Sequence, residues 1–218
     1  MNELIIATNH FMKNAPISWA ICGGFTLDLF LGKDTRVHGD IDICVFEKDR
    51  DRILRYMLQN AWRVYEFRGC GKVRPLDAAL SSESGRNFMC INGECDMVKF
   101  YPCEDESLLW YEFFYTGIKE LNYLEFLFNT THEGDFVFDK NHGIKREISK
   151  AILFNQGVPY LAPEIVLLYK ASRSENAEYQ YDFEQAYMHM NHEQKSWFSQ
   201  NLDVLYPDGH AWRRSDYE

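Results

Sequence analysis

The chain has 218 residues, of which 46% are hydrophobic and 16% aromatic, and a formal net charge of −10. Such a chain can bury a real core as one compact domain or two small ones, which excludes a largely disordered protein. The acidic balance speaks against duplex nucleic acid as a partner, because phosphate contacts need a basic face.

No apolar run reaches the roughly 20 residues of a membrane span, and the N-terminus lacks the basic-then-apolar form of a signal peptide. A cytoplasmic protein with no membrane partner is therefore expected. Cysteines fall at 22, 44, 70, 90, 95 and 103 without a C-x-x-C pair, so reduced thiols are the default. A zinc site or disulfide around Cys90 and Cys95 is the alternative.

Asn2 to Lys13 carries Leu4, Ile5, Thr8, Phe11 and Met12 at helical spacing, with Asn2 as N-cap. Trp19 to Cys22 reads as a strand, and Gly23-Gly24 opens a helix at about Phe25. A second apolar run then carries Asp40 and Asp42. Lys48 to Asn60 is an amphipathic helix with Ile53, Leu54, Met57 and Leu58 on one face. Trp62 to Phe67 alternates as a strand adjacent to the first ones. Gly69 to Asn87 is polar and reads as a loop or irregular hairpin.

Asn92-Gly93, between Phe88–Ile91 and Glu94–Tyr101, is a two-residue hairpin signal. Periodicity leaves Leu108 to Tyr115 open between helix and strand. Asn122 to Asn129 reads as a strand, and Phe136 to Asp139 and Ile144 to Phe154 extend the sheet. Gly157-Val158-Pro159 marks a boundary. Helices follow from Pro163 to about Ser172, from Asn176 to Met190 and from His192 to Leu205, with a polar tail after them.

The stretch from Trp19 to Ile43 carries the chemistry. On a strand, Asp40 and Asp42 share one face while Ile41 and Ile43 share the other. Two carboxylates that close repel, and partial burial raises the cost, so the pair calls for a cation. Oxygen ligation favours Mg²⁺, which is held by one or two carboxylates plus substrate phosphates. Gly23 and Gly24 at a helix start offer unpaired N–H groups to an anion, and Arg36 and His38 add positive charge.

In this order, Gly23, Gly24, Asp28, Gly32, Arg36, His38, Asp40, Ile41 and Asp42 resemble the signature of the DNA polymerase β-like nucleotidyltransferases. The resemblance is strongest to aminoglycoside 2''-adenylyltransferases and lincosamide nucleotidyltransferases. It implies an α/β (α+β) fold in which a mixed nucleotidyltransferase sheet flanked by helices, residues 1–155, precedes a small C-terminal helical domain, residues 156–218. An active-site cleft is expected between them. It also implies that Gly23, Gly24, Arg36, His38 and Lys170 hold a nucleoside triphosphate. By position alone Lys170 is a helix-end cation.

Transfer onto a hydroxyl is eased by a base near that hydroxyl or by a second metal, and the resemblance implies that one more carboxylate on a neighbouring strand supplies this. Two residues qualify by position: Asp96, after the Asn92-Gly93 turn, and Glu125, amid the apolar run NYLEFLFN. The resemblance favours Asp96 as metal ligand and base, beside Asp40 and Asp42. Asp182 reads either as a contact to a cationic substrate or as part of a charged helix face.

The expected protein is a Mg²⁺-dependent enzyme that moves AMP from ATP, or another nucleoside monophosphate, onto a hydroxyl of a small molecule such as an aminoglycoside or lincosamide. A cationic acceptor suits the acidic surface. The alternatives are nucleotidylation of a protein or RNA, and a non-catalytic nucleotide-binding module. Oligomeric state stays open.

Overall fold

The computed structural model describes residues 1–77, 79, 82–93, 95–114 and 117–214. Helix α1 (Glu3–Met12) begins where the Asn2 side chain accepts a hydrogen bond from the Leu4 N–H at 3.0 Å, the N-cap expected from sequence. Strand β1 (Ala20–Cys22) passes through Gly23 into α2 (Gly24–Leu31), and β2 (Asp42–Phe46) follows. Helix α3 (Arg50–Gln59) buries Ile53, Leu54 and Met57, the apolar face of its pattern.

Six strands make up the middle of the chain. They are β3 (Trp62–Gly69), β4 (Lys72–Leu76), β5 (Phe88–Asn92), β6 (Val98–Pro102), β7 (Leu109–Phe113) and β8 (Tyr123–His132). Then come β9 (Asp135–Val137), β10 (Lys145–Glu147), the short α4 (Ile148–Ala151), β11 (Ile152–Asn155) and β12 (Val158–Leu161). Helices α5 (Pro163–Lys170), α6 (Ala177–His189) and α7 (His192–Leu205) complete it.

Among the described residues the strands form one mixed sheet in the order β11-β12-β1-β2-β8-β5-β3-β4-β7-β6, with β9 pairing the end of β8 and β10 pairing β9. Two pairs are parallel, β1 with β12 and β2 with β8. The segment at Gly157-Val158-Pro159 thus supplies a turn and a sheet strand, so the sheet continues past residue 155.

Two expectations are corrected by this order. Strand β3 is not beside β1 and β2, since β8 and β5 lie between them. No hairpin forms at Asn92-Gly93: β5 has β3 on one side and β8 on the other, while β6 pairs with β7. The reason is burial. Phe88, Met89, Cys90 and Ile91 are all within 1% of full burial, so β5 is apolar on both faces and takes a central place. Half-exposed β6 takes the edge, starting at Val98 rather than at 94, and Glu94 is outside the described residues. The Leu108–Tyr115 cluster resolves as strand β7, with Tyr115 again outside the described residues.

One core, built around Ile43, Phe88, Phe126 and Met57, lies between the sheet and α1 and α3. A second joins α5, α6 and α7 through Leu167, Phe183, Phe198 and Trp212, with the Phe183 and Trp212 rings stacked at 4.6 Å. Leu27 of α2 belongs to this second cluster. Helix α2 is therefore gripped by the helical layer, which fixes its start relative to α5 and α6.

Candidate active site

Gly23 has φ +65°, and a Cβ there would meet Asp42 Oδ2 at 2.1 Å. A Cβ on Gly24 would meet His38 Nδ1 at 2.3 Å and Arg36 Nη2 at 3.1 Å. The two glycines are thus needed to admit the site's own side chains. They bring Asp42, His38 and Arg36 to the start of α2, whose first turn has no side-chain cap on its N–H groups. Thr26 closes the turn by donating its hydroxyl to Ile21 O at 3.0 Å.

Asp40 lies just ahead of β2 and Asp42 opens it. Asp42 is the cross-strand partner of Glu125 on β8, and the Glu125 N–H donates to Ile41 O at 2.9 Å. Burial, then the charges of Asp40 and Glu125, push the Asp42 carboxyl well above the usual carboxylate range. Burial likewise raises Asp40, against the opposing charges of His38, Lys170 and Arg36. Glu125 is pushed up to about 7, by burial first and by Asp40, while the hydrogen bond from the Tyr123 hydroxyl pulls the other way.

This is a trio of carboxylates that resists holding three negative charges without a cation. Among the described residues no three His, Cys, Asp or Glu side chains enclose a ready-made cation site. Two aspartates with free oxygens nevertheless suit a hard divalent ion that takes its remaining ligands from phosphate and water.

Asp96, the favoured third carboxylate, does not line the cleft with the pair. It is exposed, in the turn before edge strand β6, because β5 and β6 do not form the hairpin that would have carried it back. The structure places Glu125 beside Asp42 instead. The signal for it was present in the sequence: a lone carboxylate in an apolar strand, whose burial needs compensation.

His38 and Arg36 are held by carboxylates that the sequence reading did not rank. Asp28, 3% exposed in the otherwise apolar α2, sits 2.9 Å from His38 Nε2 and accepts from Thr35 N at 2.9 Å. Asp182 of α6 accepts from Arg36 Nε at 3.0 Å and Nη2 at 3.2 Å, and pairs with Lys170 Nζ at 2.9 Å. Arg36, His38, Lys170, Gly23, Gly24, Asp40 and Asp42 all line one cleft of about 950 Å³. It runs on past Leu127 and Asn129 to Lys140, His142 and Tyr169, far enough for a ligand larger than a triphosphate.

Residues 4–86 match the family model of aminoglycoside-2''-adenylyltransferases. The solution structure of the antibiotic-resistance factor ANT(2'')-Ia is similar, with a TM-score of 0.55 at 12% identity over 94% of this chain and 92% of that one. The crystal structure of ANT(2'')-Ia in complex with adenylyl-2''-tobramycin also has a TM-score of 0.55, at 11% identity over 94% and 99%. Lincomycin-bound LnuA, a lincosamide antibiotic adenylyltransferase, has a TM-score of 0.52 at 11% identity over 87% and 98%. No curated protein sequence matches the chain.

The fold is that of these similar nucleotidyltransferase structures. The match to the aminoglycoside-2''-adenylyltransferase model covers the N-terminal region, glycine pair and aspartates included.

Proposed function

We propose that the protein transfers a nucleoside monophosphate, AMP from ATP, to a hydroxyl of a small molecule, with Mg²⁺ on Asp40 and Asp42. The observation that carries this reading is the placement of Glu125 directly across from Asp42, which itself lines a cleft with Arg36, His38 and Lys170. When bound, Mg²⁺ neutralises the aspartates and phosphate oxygens and polarises the α-phosphoryl group.

The triphosphate lies over Gly24 at the start of α2, its charge met by the helix N–H groups, His38, Arg36 and Lys170. Glu125 accepts the proton of the acceptor hydroxyl as its oxygen attacks the α-phosphorus in line. The bond to the pyrophosphate oxygen breaks on the opposite side, and pyrophosphate leaves toward the cations. Tyr123, by donating its hydroxyl to Glu125, fixes which carboxylate oxygen is left free.

The acceptor reading is an aminoglycoside or lincosamide hydroxyl. It is supported by the family match and by the ligands of the similar structures, adenylyl-2''-tobramycin and lincomycin. The place of Glu125 supports transfer over a non-catalytic nucleotide-binding module. Among the described residues no helix is long and apolar enough to cross a membrane, in keeping with a cytoplasmic enzyme.

The test is incubation with Mg²⁺, mixed nucleoside triphosphates and a pooled panel of aminoglycosides and lincosamides, read by mass spectrometry beside an Asp42→Asn control. A nucleotide-sized mass gain on one compound, absent from the control, is expected. A gain that persists in the control removes the metal assignment. Mg²⁺-dependent nucleotide binding without any gain moves the acceptor outside these two antibiotic classes.

A further inference from the structure

Asp182 belongs to no step above, yet its carboxylate is fully enclosed beside the cleft. Its side chain has no solvent exposure, and it does not line the cleft itself. Both of its partners do: Arg36, from the loop after α2, and Lys170, from the end of α5. Arg36 engages it through two N–H groups, a forked geometry that fixes the guanidinium plane. A third side of that guanidinium is held by the Val37 carbonyl at 3.0 Å. Lys170 is held at 2.9 Å and lies 4.0 Å above the Tyr179 ring.

A buried ion pair is often only structural, but the aim of these cations is specific. Arg36 Nη2 stands over the bare α-carbon of Gly24, at the start of α2. The charges of Lys170 and Arg36 both act on Asp40. One buried carboxylate against two cations leaves one positive charge in surplus, facing the cleft. That surplus is met by Glu178, 3.3 Å from Arg36 Nη1 and 65% exposed in its side chain. An ion pair so exposed to water is weak and readily exchanged for a better anion.

We propose that Asp182 is a positioning residue for nucleotide binding: its buried carboxylate locks Arg36 and Lys170 into one two-cation clamp, and Glu178 is the counter-ion that the triphosphate displaces. The proposal rests on the reading of the cleft as a nucleoside triphosphate site. It assigns the two carboxylates on Arg36 opposite effects. Asp182 prepares the cations for phosphate by removing their freedom beforehand, and Glu178 competes with phosphate for them.

The experiment is calorimetric titration of the protein with ATP, AMP and adenosine in Mg²⁺, for wild type, D182N and E178Q. Wild type binds ATP more tightly than AMP, and AMP more tightly than adenosine. D182N weakens ATP by roughly tenfold or more and adenosine by less than about twofold, because the clamp acts on phosphates alone. E178Q tightens ATP by roughly twofold to fivefold and leaves adenosine unchanged.

Equal losses for ATP and adenosine in D182N would make Asp182 a packing residue and overturn the proposal, as would no loss at all. If D182N shows no cooperative melt, E178Q decides on an intact Asp182, and unchanged ATP affinity overturns the clamp. Wild-type protein that binds ATP no better than adenosine overturns the clamp but leaves a nucleoside site. Wild-type protein that binds none of the three brings down the nucleotide reading itself, and the clamp with it.

Discussion

Asp42 on β2 and Glu125 on β8 are direct partners across parallel strands, so two carboxylates far apart in the chain share one patch of sheet. Neutral replacement of either removes a repulsion as well as a chemical group. Glu125→Gln is therefore expected to lower the transfer rate by about 10²- to 10⁴-fold while ATP binding persists. Asp96→Asn, in an exposed turn that does not line the cleft, is expected to keep full turnover. Steady-state rates with a responsive acceptor, beside ATP titrations, check both. Full activity in the Glu125 variant would return the search for the base to Asp96.

Asp42→Asn is expected to abolish turnover and to leave the melting temperature unchanged or higher. The buried Asp42 carboxyl is already reluctant to ionise beside Asp40 and Glu125, so losing its charge relieves strain in the folded state. Chelation of divalent ions from the wild-type protein should stop turnover and leave the fold intact. Calorimetric melts and rates with and without chelator read both, and a large fall in melting temperature would contradict the electrostatic account.

Gly23→Ala introduces a Cβ 2.1 Å from Asp42 Oδ2 at a backbone φ of +65°. The conformational cost is about 1–3 kcal/mol, and relief of the clash must move Asp42. Activity should fall much further than stability, and Mg²⁺-dependent ATP binding should weaken. Gly32, also at positive φ but with nothing near its added Cβ, serves as comparison: Gly32→Ala should lose stability only. Urea unfolding and rates on the two variants separate the effects.

Arg146 on β10 holds Glu164 of α5 at 2.8 Å, and Gln194 of α7 donates to the other Glu164 oxygen at 3.0 Å. The Glu164 side chain has no solvent exposure. Arg146→Met leaves that carboxylate buried with one fewer partner and should cost about 3–5 kcal/mol. Adding Glu164→Leu to it should recover much of the loss. A double-mutant cycle by urea unfolding measures the coupling, and additive losses would refute it.

Much of the elements and half of the site were legible in the chain. The α1 N-cap, the amphipathic face of α3 and the span of α7 follow from local rules that need no partner. The Asn92-Gly93 turn signal is just as local, yet it was overruled. Strand β5 is apolar on both faces, and pairing with β3 and β8 buries both, which a hairpin with half-exposed β6 would not. That choice among distant partners sent Asp96 to the edge and left Glu125 beside Asp42.

By itself the sequence determined the glycine pair, the two aspartates at the start of one strand and the basic residues that precede them, because these sit within a few residues of each other along the chain. Tertiary structure alone decided which further carboxylate lies beside Asp42 and which carboxylates pair with the cations. Glu125 reaches Asp42 only through strand order, and Asp182 reaches Arg36 and Lys170 only through packing of α6 on α2 and α5. A buried carboxylate's partner is whatever charge the fold brings within hydrogen-bond distance, and neither spacing nor residue type encodes that distance.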